Sequence, residues 1–270
     1  MHDTTREYHR KCKMLTPVLP CRREGLGETL VLVHGYLGGA SQWTAEIDFF
    51  SPYFDVIAVN LAGYGDAHQL SAPTDIADHA KAVLATLDHL GVKSFHLLGH
   101  SMGGMVVQEL VKLAPGRVNK LVLYGTGPQG SIPGRFETMG RSRERLAEDG
   151  VERTAKRICA TWLLDREASS AYEALAALAV KSSEQAARAG LFAMERWDGR
   201  EYLQAIQQTT LIVWGEGDRT YGWSQIEKLW RTIPNASLAV LPTCSHALHL
   251  ERPALFHALL LEFLHPGVPA

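Results

Sequence analysis

The chain has little of what several classes of protein are built from. Its 270 residues include only four cysteines, Cys12, Cys21, Cys159 and Cys244, with no CxxC pair and no regular spacing. That excludes a disulfide scaffold and a zinc cage and fits a reduced, cytoplasmic setting. Net charge is slight, 27 Lys and Arg against 29 Asp and Glu for a formal -2. No broad field gathers nucleic acid or an anionic membrane, so neither is expected as a partner. The first 24 residues are polar and mildly basic, and no apolar run near them suffices for a bilayer span or a secretion-signal core. The basic residues from Arg6 to Lys13 read either as a flexible arm or as an edge contact in a homodimer, and both readings stay open. What the chain does have is apolar bulk, 46% of its residues, with 24 glycines and 12 prolines. This suits one large α/β domain or a core with an inserted lobe.

Short β-branched, apolar runs at residues 29–33, 55–60 and 94–98 each lead into a glycine-containing turn, and further runs follow at 120–124, 210–214 and 237–241. Continuous apolar runs of this length are what strands buried on both faces look like, which predicts a mostly parallel sheet. Helix-period segments lie between them at 76–90, 102–114, 223–232 and 253–264. Together they give an α/β fold, a doubly wound sheet covered by helices. Residues 128–206 break the alternation: no strand-like run occurs there, whereas 141–162 and 168–194 are rich in Ala, Leu, Glu and Arg at helical spacing. The expected organisation is a core of residues 1–127 and 207–270 with an all-helical cap, residues 128–206, over the carboxyl edge of the sheet, where open α/β sheets bind ligands.

Gly99-His100-Ser101-Met102-Gly103 has the form G-x-S-x-G and sits between the 94–98 strand and a helix beginning at Met102. A serine on so tight a strand-to-helix turn has a strained backbone, and flanking glycines leave room for the two elements to cross. The plainer reading is a glycine-rich turn capped by a serine. A serine hydroxyl is a weak nucleophile that needs a base. Among 12 histidines, His246 lies just after the last expected strand and before Arg252-Pro253, in a loop at the same edge as Ser101. His34 and His100 flank the turn and are second choices, His249 reads as a local packing neighbour, His96 as a strand residue, and His2 and His9 as solvated. An acid must hold the imidazole tautomer. Asp218, at the end of the glycine turn after the 210–214 strand, leads; Glu216 is the near alternative, with Asp66 and Asp198 weaker. The order Ser101, Asp218, His246 is that of hydrolases with a nucleophile elbow. For the oxyanion of a tetrahedral intermediate, the amides of Tyr36 and Met102 are the expected donors.

With His34-Gly35, Gly63-Tyr64-Gly65, Gly99 to Gly104, Gly217-Asp218 and His246 followed by Glu251-Arg252-Pro253, the chain resembles the α/β-hydrolase superfamily, in its helical-cap branch of lactonases, small esterases and carbon-carbon bond hydrolases. The resemblance runs from about residue 29 to 264, and the 141–162 stretch is similar to enol-lactone hydrolases of aromatic catabolism. Two departures stand out. Asn60 occupies a turn position where many relatives carry Asp, and His100 precedes the nucleophile where carbon-carbon hydrolases often carry Asn. The second favours an ester or lactone, and Ser101 in the elbow disfavours relatives with an aspartate nucleophile.

The resulting expectation is a serine hydrolase that cleaves a small-molecule ester or lactone through an acyl-enzyme, with no metal or organic cofactor. His34, Gly35 and His100 border the substrate, and Arg135, Met139, Trp162, Phe192 and Trp197 line an apolar pocket with one cationic corner. Trp162 and Phe192 equally suit packing of the cap onto the core. The rivals are a carbon-carbon hydrolase acting on a vinylogous diketone, a cofactor-free haloperoxidase or acyltransferase, and a binding protein without turnover.

Overall fold

The computed structural model describes residues 16–131, 135 and 137–266. Cys12, His2, His9 and the 6–13 segment lie outside the described residues; Cys21, Cys159 and Cys244 are free thiols.

Seven strands form one sheet in the order β1-β3-β2-β4-β5-β6-β7. They are β1 (Cys21–Glu24), β2 (Thr29–Val33), β3 (Asp55–Val59), β4 (Phe95–His100), β5 (Val118–Tyr124), β6 (Thr209–Gly215) and β7 (Ala236–Leu241). β1 pairs antiparallel with β3, and the other pairs are parallel. The α-helices are α1 (Thr44–Phe50), α2 (Ile76–His89), α3 (Met102–Leu113), α4 (Met139–Thr161), α5 (Tyr172–Ala179), α6 (Glu184–Arg196), α7 (Trp223–Thr232), α8 (Leu248–Glu251) and α9 (Pro253–Leu264).

The period-two alternation of the strands divides the interior into two layers. Val31, Val33, Ile57, Val59, Leu97, Leu121 and Leu123 face one cluster, with Val83 and Leu87 of α2 and Val106 and Leu110 of α3. Leu30, Leu32, Val56, Ala58, Leu98 and Val122 face the other, with Ile47 and Phe50 of α1 and Phe256 and Leu260 of α9. Both faces are covered, which is why these strands read as unbroken apolar runs.

Three details differ from the sequence expectation. β1 was not expected, because Cys-Arg-Arg-Glu carries no apolar pattern; its half-exposed edge position and backbone pairing with β3 account for that composition. β4 runs on through Gly99 and His100, carrying the chain straight into the serine turn. The helical stretch expected at 168–194 is divided into two helices, because Ser183 leaves helical geometry and its side chain caps α6 by accepting from the Ala186 amide at 3.0 Å.

Between β5 and β6 the regular elements of the described residues are helical, apart from one bridge between Gln129 and Asp198. This segment touches the loops that follow β2, β3, β6 and β7. Tyr36 and Tyr64 donate their hydroxyls to the carbonyls of Ala187 (2.7 Å) and Ala186 (2.9 Å) of α6. Gly190, a turn further on, is what lets the helix come so close, since a methyl there would meet the Tyr64 hydroxyl at 2.2 Å. Arg219 donates to the carbonyls of Leu163 and Leu164, and the Ala247 amide to that of Trp162.

Candidate active site

Ser101 occupies the junction of β4 and α3 with φ 56 and ψ -118, in the positive-φ region that costs a non-glycine residue of order 1–3 kcal/mol. The surrounding backbone holds it there. Its amide donates to the Tyr124 carbonyl at 3.0 Å, and its carbonyl accepts from the Gly104 amide and the Thr126 hydroxyl, both at 2.8 Å. A methyl on Gly99 would lie 2.4 Å from the Gly103 carbonyl oxygen, and one on Gly103 would lie 2.3 Å from that of Val33. Strand and helix therefore cross only because both positions are glycine.

His246 lies in the loop between β7 and α8, with its side chain wholly buried. Its Nδ1 is 2.9 Å from Oδ2 of Asp218, also wholly buried, at the turn after β6. The other oxygen of Asp218 accepts from the Thr220 (2.7 Å) and Tyr221 (3.1 Å) amides, so the carboxylate is held at both ends. The histidine loop is fixed by Glu251, whose carboxylate accepts from the Ser245 and Leu164 amides, each at 2.6 Å. Nε2 of His246 is buried with no hydrogen-bond partner. With Nδ1–H donated to Asp218, that atom carries the lone pair, the form a base needs.

The alternative bases are occupied elsewhere. His34 bonds the Gly35 carbonyl through Nδ1 and accepts the Leu61 amide at Nε2, and burial brings its pKa down to about 4. His100 stacks on Tyr124 and bonds the His246 carbonyl through Nε2 at 3.1 Å; burial and the neighbouring His246 hold it well below the usual range. It props the histidine loop from behind. His249 is paired with the Tyr124 hydroxyl at 2.8 Å and is brought to about 4 by burial. Among the alternative acids, Glu216 and Asp66 are exposed, and Asp198 is exposed and paired with Arg200. Asn60 accepts the Ala40 (2.9 Å) and Asp66 (3.2 Å) amides and so ties two loops together.

The Tyr36 and Met102 amides donate to no acceptor among the described residues, and Met102 opens α3, whose N-terminal dipole favours negative charge. The Tyr36 phenol is committed to Ala187, so it is no ready donor for a substrate. Gly35 sits against Ser101, where a methyl would be 3.0 Å from its Cβ.

The expected pocket residues separate. Trp162 reaches the site, its ring 5.8 Å from that of His246. Arg135 donates to the Glu137 carbonyl and the Ser142 hydroxyl, and its charge acts on both Tyr36 and Tyr221. Met139 is buried at the start of α4 within the larger apolar cluster. Trp197 donates its indole N–H to Glu109 of α3 at 3.0 Å, fastening the inserted segment to the core. Phe192 departs from expectation: it is 40% exposed with the Arg143 guanidinium 4.8 Å above its ring. Two residues are about 200° around a helix, so it points away from the face on which Gly190 meets Tyr36 and Tyr64.

Sequence reasoning missed Tyr221. Its ring stacks on His246 at 5.7 Å and 21°, and its phenol faces the Ser101 and Thr126 hydroxyls. A tyrosine three residues after the expected acid was the only signal, and nothing in the spacing distinguishes it from a loop aromatic.

The architecture and these residues define a hydrolase scaffold, and comparison with known proteins agrees. The family model for the alpha/beta hydrolase fold matches residues 28–253, and the chain belongs to that family. It is 30% identical over 256 residues to a 2-hydroxy-6-oxononadienedioate/2-hydroxy-6-oxononatrienedioate hydrolase of Paraburkholderia phymatum, covering 88% of this chain and 87% of the relative. It is also 30% identical over 250 residues to the dihydrolipoyllysine-residue acetyltransferase component of the acetoin cleaving system of Pseudomonas putida, covering 88% of this chain but 64% of that longer protein. The crystal structure of the enol-lactonase from Burkholderia xenovorans superimposes with a TM-score of 0.84 at 20% identity, over 91% of this chain and 96% of the other. Among the described residues no group of His, Cys, Asp and Glu is arranged to hold a metal ion, and no helix is long and apolar enough to cross a membrane.

Proposed function

We propose that the protein is a serine hydrolase that cleaves a small-molecule carboxylic ester or lactone through an acyl-enzyme. The supporting observation is the 2.9 Å Asp218–His246 pair with an unpartnered Nε2, at the same sheet edge as a serine on a strained turn. His246 takes the Ser101 proton as the serine attacks the carbonyl, and the Tyr36 and Met102 amides receive the oxyanion. His246 then protonates the leaving oxygen and activates water for deacylation. Residues 128–206 act as a cap, with the Trp162 end over the imidazole. Labelling by a fluorophosphonate, mapped by mass spectrometry, tests the reading: one adduct on Ser101 is expected, and an unlabelled native chain that hydrolyses no ester or lactone ends it.

A second reading, carbon-carbon bond hydrolysis, is favoured by the dienedioate hydrolase relative. A dienoate ring-cleavage product assayed beside an aryl ester of similar size separates the two, the larger kcat/KM deciding.

In both readings Arg135 supplies the cationic corner, since its charge is felt at both Tyr36 and Tyr221. Arg135→Ala is expected to lower kcat/KM for a carboxylate-bearing ester about 10- to 100-fold relative to its neutral isostere, as loss of a charged hydrogen bond implies. Equal loss on both substrates rules out that role.

A further inference from the structure

Tyr221 touches two members of the constellation and lies close to the third. Its amide donates to Asp218 Oδ1 at 3.1 Å, its ring stacks on His246, and its phenol faces Ser101. Its carbonyl accepts the Trp214 indole N–H at 2.9 Å, and only 2% of the residue is exposed, so the ring has little freedom to leave. Burial pushes the phenol up to about 12, against the opposing influence of the Ser101 hydroxyl and the Arg135 charge. At neutral pH it is a proton-bearing donor and not a base. Beside it, Thr126 spends its own hydroxyl proton on the Ser101 carbonyl, leaving an acceptor oxygen on that side.

Resting on the serine-hydrolase reading, we propose that Tyr221 is a further catalytic residue, which holds the Ser101 hydroxyl in the resting enzyme and donates a hydrogen bond to the leaving oxygen during turnover. The side follows from the packing. The expected oxyanion amides belong to the loop after β2 and the start of α3, whereas Tyr221 lies on the ring of His246, the group that must deliver a proton to the departing alcohol. When Ser101 turns to His246, its proton passes to Nε2 as the Oγ–C bond forms. On collapse the C–O bond to the alcohol breaks, its electron pair goes to the departing oxygen, and the Nε2 proton follows. The Tyr221 proton is shared throughout and never transferred, so the phenol is unchanged at the end of the cycle and no co-reactant is needed.

The test is Tyr221→Phe, which keeps the ring on His246 and removes only the hydroxyl, assayed on esters of one acid with nitrophenyl, phenyl and alkyl leaving groups. kcat/KM is expected to fall about 10- to 100-fold for the alkyl ester and less than about 3-fold for the nitrophenyl ester, whose alcohol departs without help. Melting temperature and fluorophosphonate labelling of Ser101 are retained. A uniform loss across the series, or no loss, overturns the assignment. Should Tyr221→Phe fold poorly, 3-fluorotyrosine at the same position supplies the control. It retains the hydroxyl and is expected to keep alkyl-ester turnover within about 3-fold; a loss across the whole series counts against the proposal. A flat series with Ser101 still labelled removes Tyr221 alone, whereas an unlabelled and inactive native chain removes the serine reading and this role with it.

Discussion

Ser101→Ala is expected to lower kcat about a million-fold while shifting the melting temperature by no more than about 2 °C. The size of the first effect follows from the division of labour. On the proposed mechanism no acyl-enzyme forms without Oγ, and only the expected oxyanion amides and substrate binding remain to accelerate attack by water. The smallness of the second follows from how the turn is held. The hydrogen bonds that fix residue 101 run through its own amide and carbonyl, to Tyr124, Gly104 and Thr126, and survive truncation of the side chain. Ser101→Gly carries the argument further. At φ 56 a glycine is unstrained, so this variant is expected to be as inactive as alanine yet to melt a few degrees higher, for a gain of about 1 kcal/mol. Steady-state hydrolysis alongside calorimetry checks both. Near-native turnover in either variant, or a collapse of stability in the alanine variant, would show that the residue is structural.

The parts of this arrangement that could be read from the chain are those whose physical cause is local. A buried strand running into a glycine turn is visible wherever it occurs, and it marks Ser101 and Asp218; all six expected parallel strands lie within about two residues of the observed ones. His246 was legible through its place after the last strand. β1 was not, because an edge strand is held by backbone pairing and demands no apolar side chain. Nor was the division between α5 and α6, where the helical composition continues and only the Ser183 cap breaks it.

What needed three dimensions was direction and contact between distant residues. Phe192 has the composition of a pocket residue, but its face of α6 is set by where Tyr36 and Tyr64 grip the Ala186 and Ala187 carbonyls. Tyr221 is the converse case. Its neighbours His246 and Ser101 are far away along the chain in opposite directions, so no local pattern announces it. His100 was weighed as a base, whereas its bond to the His246 carbonyl makes it a prop for that loop.

Asp218→Asn carries the second large effect. Asp218 Oδ1 accepts the Thr220 and Tyr221 amides, and an asparagine oxygen there accepts them equally well, so the turn after β6 keeps its shape. The new amide nitrogen then faces Nδ1 of His246 where Oδ2 stood 2.9 Å away. Two N–H groups cannot be left pointing at each other in a wholly buried site. The imidazole therefore adopts the other tautomer, with its lone pair on Nδ1 and its proton on Nε2. An Nε2–H has no capacity to take the serine proton, and a fall in kcat of about ten-thousand-fold is expected, as for loss of the correct tautomer in such triads. Acylation needs the base as deacylation does, so the rate of fluorophosphonate labelling should drop along with kcat while the circular dichroism spectrum is kept. Glu216→Gln, two residues earlier and exposed, serves as the control and is expected to stay within about 2-fold, since exposed charges contribute little. The opposite ranking, with Asp218→Asn nearly active and Glu216→Gln inactive, would transfer the orienting role to Glu216 and require a different loop geometry at His246.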